Sequence, residues 1–274
     1  MLEVIFLIVL STAWLIFATV QDLKYKEIAN WLNFSLIIFA LGFRFFWSLF
    51  GGDFTFLYQG LIGFGIFFIL GNFLYYCKMF AGGDAKLFIS LGAILPFSNI
   101  LQINIINSFW WFFIFLCVGA FYGLIISFVL MVKNFKGFKK EFYKLIRKNK
   151  LILNIILIIA IAFLILGFIN NIFLIGGILF VVFPYYYFYA KAVDECCMIR
   201  KTNVKDLVEG DWLYKDIKIG GKKIKASWNG LSKSEIKIIQ RKKKYIVLRY
   251  GIAFAPVFLI SFLIFCGLYF VGFF

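Results

Sequence analysis

Apolar residues run in long blocks along this chain instead of alternating with polar ones. A helix crossing about 30 Å of hydrocarbon needs about 20 residues at about 1.5 Å each. Runs of that kind cover roughly 2–20, 31–50, 56–77, 104–132, 151–169, 172–193 and 246–273. A weaker run, about 85–101, is interrupted by Gly92 and Pro96. Each is expected to be helical, because only a helix satisfies its own backbone polar groups in lipid, short of a closed barrel. The pattern predicts an all-α polytopic membrane protein with about eight transmembrane helices (six to eight).

Only 194–245 is polar enough to stand in water. Ile217 and Ile219 alternate with polar residues before Gly220-Gly221, and Ile224 follows, which predicts a hairpin with a two-residue turn. Ser232-Lys233-Ser234-Glu235 matches a capping box, so a short helix should run from about 233 towards Lys244. About 50 residues bury little core, which makes this stretch a small α+β appendage near the C-terminus. The expected division is a transmembrane helical domain over 1–193, the soluble region 194–245, and a C-terminal span over 246–274.

Charge adds orientation. The chain carries +16 overall, and of its 29 Lys and Arg, 8 lie between Lys133 and Lys150 and 16 between Lys191 and Arg249. With the weak run counted as a span, every second loop is basic. The positive-inside rule then puts loops 21–30, 78–86, 133–150 and 194–245 in the cytoplasm and both termini outside. The basic clusters suit anionic lipid headgroups, so membrane lipids are expected partners. Nucleic acid is not, since no basic helix or aromatic platform accompanies them. Arg44, inside a run, is expected to snorkel outward beside Trp47. The first run lacks a basic n-region and leads straight into Asp22, so no cleavable signal peptide is expected.

Composition removes several chemistries. The chain is 64% hydrophobic, 15% charged and has no His, with a mean hydropathy of +0.95. Without imidazole there is no Ser-His or Cys-His nucleophile pair and no His-based zinc site. Five Cys, with no C-x-x-C pair, suggest neither a disulfide framework nor a zinc ribbon. No metal and no cofactor are expected.

That leaves carboxylates. Asp22, Glu27 and Asp84 lie at the expected cytoplasmic ends of spans in the apolar half, where ionisable groups are functional suspects. Asp22 sits in Gln21-Asp22-Leu23-Lys24-Tyr25-Lys26-Glu27-Ile28-Ala29-Asn30, and Asp84 in Ala81-Gly82-Gly83-Asp84-Ala85-Lys86-Leu87. An even number of crossings separates the two aspartates, so both emerge on one membrane face. Two carboxyls sharing a proton can hydrolyse a peptide: the protonated one polarises the scissile carbonyl while the other activates water. Gly82 and Gly83, lacking Cβ, would let a substrate backbone approach and would allow conformations other residues resist. Taken singly, an Asp at a helix end also serves as a cap, and Lys86 as an interfacial anchor.

The two stretches resemble a known family. Asp22-Leu23-Lys24 with Ile28 and Asn30 is similar to the first aspartate motif of type IV prepilin peptidases, with Ala29 where that pattern has Pro. Ala81-Gly82-Gly83-Asp84-Ala85-Lys86-Leu87 resembles the second motif of these GxGD membrane aspartyl proteases, with Ala81 in place of the first Gly. Glu209-Gly210-Asp211, Gly230-Leu231 and Tyr250-Gly251-Ile252-Ala253-Phe254-Ala255-Pro256 resemble the C-terminal part of archaeal preflagellin and prepilin peptidases. The cysteine-rich zinc loop of bacterial relatives has no counterpart here.

The resemblance implies a membrane aspartyl endopeptidase. It would remove the short basic leader from archaellin or type IV pilin-like precursors, which carry class III type signal peptides, cutting after a Gly at the cytoplasmic face of the cell membrane. Asp22 and Asp84 would be catalytic, Gly82 and Gly83 would lie against the substrate, and Glu27 would meet the basic leader. The rival expectation is a small ion- or proton-coupled transporter with intramembrane carboxylates, which predicts charges near the bilayer midplane and weak symmetry between halves.

Overall fold

The computed structural model describes residues 2–219, 221–228 and 230–273. They form two units, one of residues 1–123 and 252–274, the other of residues 124–251.

The first unit is built from α1 (Leu2–Tyr25), α2 (Asn30–Gly51), α3 (Thr55–Tyr76), α4 (Gly82–Gly92), the first two-thirds of α5 (Leu101–Lys133) and α10 (Ala255–Phe270). Helical periodicity fixes which side faces inward. In α1 the buried residues Val4, Leu7, Ser11, Leu15, Ala18 and Asp22 recur every three or four positions. In α2 the buried residues include Leu32, Leu36, Ala40, Arg44 and Ser48, spaced by four. Lipid is as apolar as a leucine, so burial alone does not hold these helices together; close packing and polar contacts do. Gly63 of α3 shows how close: a Cβ there would stand 2.5 Å from the Gly92 carbonyl oxygen of α4. Large rings fill the rest. Phe67 stacks on Phe88 at 4.8 Å between centroids, and Phe115 meets Phe258 at 4.7 Å.

Among the described residues, α1, α2, α3, α5 and α8 (Asn171–Cys197) are long and apolar enough to cross a membrane. The pair α6 (Phe135–Lys148) and α7 (Lys150–Leu166) would make a sixth span if its two helices are taken together, despite a 76° bend. Three expected elements differ. The weak run 85–101 holds only α4, whose 11 residues reach about 16 Å, well short of the hydrocarbon thickness. Its helix stops at Gly92, and Pro96 follows in irregular chain. The run 246–273 is divided: its first residues belong to a strand, and the 16-residue α10 starts only at Ala255, with Pro256 in its first turn. The basic segment 133–150, expected as a loop without a basic helix, is helix α6.

In the second unit, α7 and α8 pack side by side, and α8 leads into a polar lobe. There β1 (Ile199–Asn203), β5 (Tyr245–Arg249) and β2 (Trp212–Leu213) form an antiparallel sheet in the order β1-β5-β2, with Lys201 opposite Val247 and Trp212 opposite Arg249. Ile246 and Leu248 point inward at alternate positions and join Leu213, Ile219, Ile224, Leu231, Ile236 and Ile239 in a small core. The predicted hairpin is β3 (Ile217–Ile219) with β4 (Lys222–Ile224), Ile217 opposite Ile224. Of its turn, Gly221 has a φ of +83°, and Gly220 lies outside the described residues. The predicted helix is α9 (Lys233–Lys242), opened by the full capping box of Ser232 and Glu235. Gly210 and Gly230 are structural: both have positive φ, and a Cβ on Gly230 would collide with the Gly210 carbonyl, where the two loops cross through paired backbone hydrogen bonds.

Candidate active site

Asp22 occupies the last inward position of the α1 stripe, one turn beyond Ala18, and is only 7% exposed. One turn later the chain leaves the helix at Lys26, whose φ of +61° is the left-handed conformation of a helix end, and the Lys26 N–H donates to the Asp22 carbonyl at 2.9 Å. The side chain has a second, distant partner. The Ala255 N–H, at the start of α10, donates to Asp22 Oδ2 at 2.8 Å across 233 positions of chain.

Asp84 arrives by a similar device. After α3 the chain turns at Lys78, with φ +60°, and Met79 and Phe80 donate their amides to the Leu74 carbonyl. Phe80 is then buried among Phe88, Phe115, Phe254 and Phe258, which anchors the approach to α4. Asp84 sits in the first turn of α4, ahead of the apolar run and outside the spanning helices, and is half-buried. Burial pushes its carboxyl up to about 7; the Asp22 carboxylate adds to the rise, and a hydrogen bond with the Ala81 backbone opposes it. The structure thus brings the two carboxyls, 62 positions apart in the chain, within electrostatic range of each other. Its place in the first turn of α4 also meets the plainer expectation of a juxtamembrane Asp at a helix end, which by itself needs neither burial nor a second acid beside it.

The surrounding motif residues hold the two segments together. Lys86 does not stand free as an interfacial anchor: its Nζ donates to Asn30 Oδ1 at 2.7 Å, joining the second aspartate segment to the first. Ala29 adopts φ −62°, the angle proline would impose, and its N–H, which proline lacks, donates to Gln21 Oε1 at 3.2 Å. Ala81 has φ −70° and ψ 162°, open to any residue, so the missing first Gly costs no strain. Gly82 and Gly83 begin α4 with ordinary helical backbone, and neither adopts the unusual conformation expected of it. A Cβ on Gly83 would make only an ordinary 3.5 Å contact with Ile28. Glu27 is exposed in the connection between α1 and α2.

Sequence reasoning missed two contributors. Tyr122 of α5 stands within electrostatic range of Asp22, and nothing in its surroundings along the chain marked it. The Ala255 amide left no signal because a backbone donor has no residue type. Among the described residues, no group of three or more His, Cys, Asp and Glu gathers as a metal site.

The arrangement can be set beside known proteins. Residues 9–124 match the model of the Type IV leader peptidase family. The chain is 35% identical over 85 residues to the preflagellin peptidase of Methanocaldococcus jannaschii, covering 31% of this chain and 36% of that one. It is 29% identical over 135 residues to the preflagellin peptidase of Methanococcus maripaludis, covering 46% and 57% respectively. The Methanococcus voltae preflagellin peptidase is 30% identical over 82 residues, 30% of this chain and 35% of the relative. The matches thus span between about a third and just over half the length of these relatives. No solved structure matches the chain.

Proposed function

We propose that this chain, whose residues 9–124 match the model of the Type IV leader peptidase family, is a membrane aspartyl endopeptidase that cleaves the leader from archaellin or type IV pilin-like precursors. The observation that carries the reading is that Asp22 and Asp84, both inside the family-matched segment, are at least partly buried and within electrostatic range of each other.

The two acids take different parts. Asp22, facing the Ala255 amide, is the carboxylate that removes a proton from water as the water oxygen attacks the scissile carbonyl carbon. Asp84, whose carboxyl is pushed up to about 7, donates a hydrogen bond in its protonated form to the carbonyl oxygen and stabilises the charge that develops there. The tetrahedral intermediate collapses with cleavage of the C–N bond, and the proton taken from water passes to the departing amine. No metal and no acyl-enzyme enter the reaction. The leader lies on the cytoplasmic side, as the bases close to the two aspartates, Lys24, Lys26, Lys78 and Lys86, favour under the positive-inside rule. Gly82 and Gly83 offer a flat surface to the precursor backbone, and Glu27, exposed beside Asp22, attracts the basic leader.

Purified protein in detergent, with a chelator present, is expected to shorten a synthetic precursor at the residue before its hydrophobic helix. Asp22→Asn and Asp84→Asn should each lower that rate at least about a hundredfold, the scale of a lost general acid or base, while expression and membrane insertion stay intact. Full cleavage by either variant removes that residue from the mechanism. Ion flux with no cleavage would favour the transporter reading.

A further inference from the structure

Helix α6 (Phe135–Lys148) is strongly two-sided. Phe135, Phe138, Phe142 and Leu145 recur at three- and four-residue spacing, and Phe138 is buried with Tyr189, Ala192 and Val193 of α8. The opposite side carries Lys136, Lys139, Lys140, Tyr143, Lys144 and Arg147 at the same spacing, lining a shallow open concavity of about 670 Å³.

Five cations share that face. Glu141 pairs with Lys144 at 3.0 Å, and among the described residues no carboxylate pairs with Lys136, Lys139, Lys140 or Arg147. Like charges at helical spacing repel, so the face gains from an external anion. Its setting indicates which one. The apolar α7 leaves α6 at a 76° bend and packs along α8. With α7 near the membrane normal, α6 lies close to the membrane plane, at the height where α7 enters the lipid and where phosphate headgroups are concentrated. Tyr143, 54% exposed in the middle of the basic stripe, suits the same interfacial zone. The concavity is open, which suits headgroups of neighbouring lipids and not an enclosed soluble ligand.

We propose that the basic face of α6 is a binding site for the phosphate headgroups of anionic lipids, holding this helix on the membrane surface. Ammonium and guanidinium groups give charge-assisted hydrogen bonds to phosphate oxygens, and each basic residue near the surface adds to the attraction.

The test uses full-length protein in neutral detergent and counts bound phosphatidylglycerol against phosphatidylcholine by native mass spectrometry. Wild type should prefer phosphatidylglycerol, and the preference should weaken as salt rises. Joint Lys136→Gln, Lys139→Gln, Lys140→Gln and Arg147→Gln should weaken phosphatidylglycerol binding at least about tenfold. Gln keeps helix propensity, and the charge-retaining set Lys136→Arg, Lys139→Arg and Lys140→Arg should bind as wild type does. A control removing the same charge from α9 and its C-cap, Lys237→Gln, Arg241→Gln, Lys242→Gln and Lys243→Gln, should lower binding several-fold less than the α6 set does. Undiminished binding by the α6 variant overturns the proposal, as does an equal loss in the control. Displacement of the lipid by inorganic phosphate, beyond that by chloride at matched ionic strength, would instead reveal a soluble-anion site and overturn it too.

Discussion

Replacing Arg44 offers the sharpest test of how α4 is held. The sequence suggests an arginine snorkelling outward, but its guanidinium is fully buried among α2, α3 and the chain after α4. Nε donates to the Ala93 carbonyl at 2.9 Å, Nη1 to Phe56 at 2.9 Å, and Nη2 to Ile94 at 3.0 Å and Pro96 at 2.6 Å. The group also lies 4.2 Å from the centroid of the Phe56 ring. Carbonyls beyond a helix C-terminus have no partners within the helix, and a cation there satisfies them while facing the negative end of the dipole.

Arg44→Met keeps the length and removes the donors. Phe56 lies inside α3 and retains its helical hydrogen bond, so the carbonyls of Ala93, Ile94 and Pro96 are the ones left without a donor. At about 1–3 kcal/mol for each unsatisfied buried group, the loss is roughly 3–9 kcal/mol. Replacing a buried ion pair by apolar residues is often neutral, because both charges leave together. Here the partners are backbone groups that stay, so the penalty wins. Its size is comparable with the whole stability of an ordinary domain, about 5–15 kcal/mol. Arg44→Lys, with a compact ammonium in place of a planar fork, should recover only part of the loss. Thermal unfolding in detergent should show the Met variant melting far below wild type or failing to accumulate in membranes, with Lys between. A Met variant that melts with wild type and cleaves at the wild-type rate refutes the reasoning.

Two other outcomes follow from the aspartate segments. Since the Asp84 carboxyl is raised from the ordinary value of about 4 to about 7, its proton is present below that pH and lost above it. Cleavage should therefore fall about tenfold per unit above roughly pH 7, and a rate unchanged between about pH 6 and 9 would contradict the role given to Asp84. Lys26 and Lys78 both hold left-handed backbone, a conformation costing a non-glycine residue about 1–2 kcal/mol. Lys26→Gly and Lys78→Gly should each stabilise the protein by about 1 kcal/mol in thermal unfolding, and a destabilised glycine variant would show that the strain lies elsewhere.

Much of the geometry around the candidate site was legible in the sequence because it is written in side chains at regular spacing. Counting back from Asp22 by three or four reaches Ala18, Leu15, Ser11, Leu7 and Val4, the face that the structure buries. The hairpin and α9 were equally readable, since an alternation and a capping box are local signals. What escaped depends on distant backbone. The α2 stripe of Leu36, Ala40, Arg44 and Ser48 placed Arg44 inward, but its partners are carbonyls, which no residue type announces. Pairing of β1 with β5 joins residues over forty positions apart, and the apolar start of β5 reads equally well as the entrance of a span. The two stripes of α6 were present in the sequence; the density of lysine in 133–150 drew the reading towards a loop.

The family-matched stretch of residues 9–124 contains both aspartates yet not the whole site. Asp22 closes its first helix, and the donor on its carboxylate comes from residue 255 at the start of the last one. Lys86 reaches Asn30 within the matched stretch, so the two aspartate segments are tied to each other there, whereas the backbone donor to Asp22 comes from outside it. A symmetrical pair of acids would share its proton evenly. Here the Ala255 amide donates to one carboxyl, while burial raises the other and a hydrogen bond with the Ala81 backbone opposes that rise, so the two acids stand in different surroundings. Under the proposed mechanism Asp22 accepts a proton from water while Asp84 donates one, and the Ala255 contact would make the start of α10 part of that site.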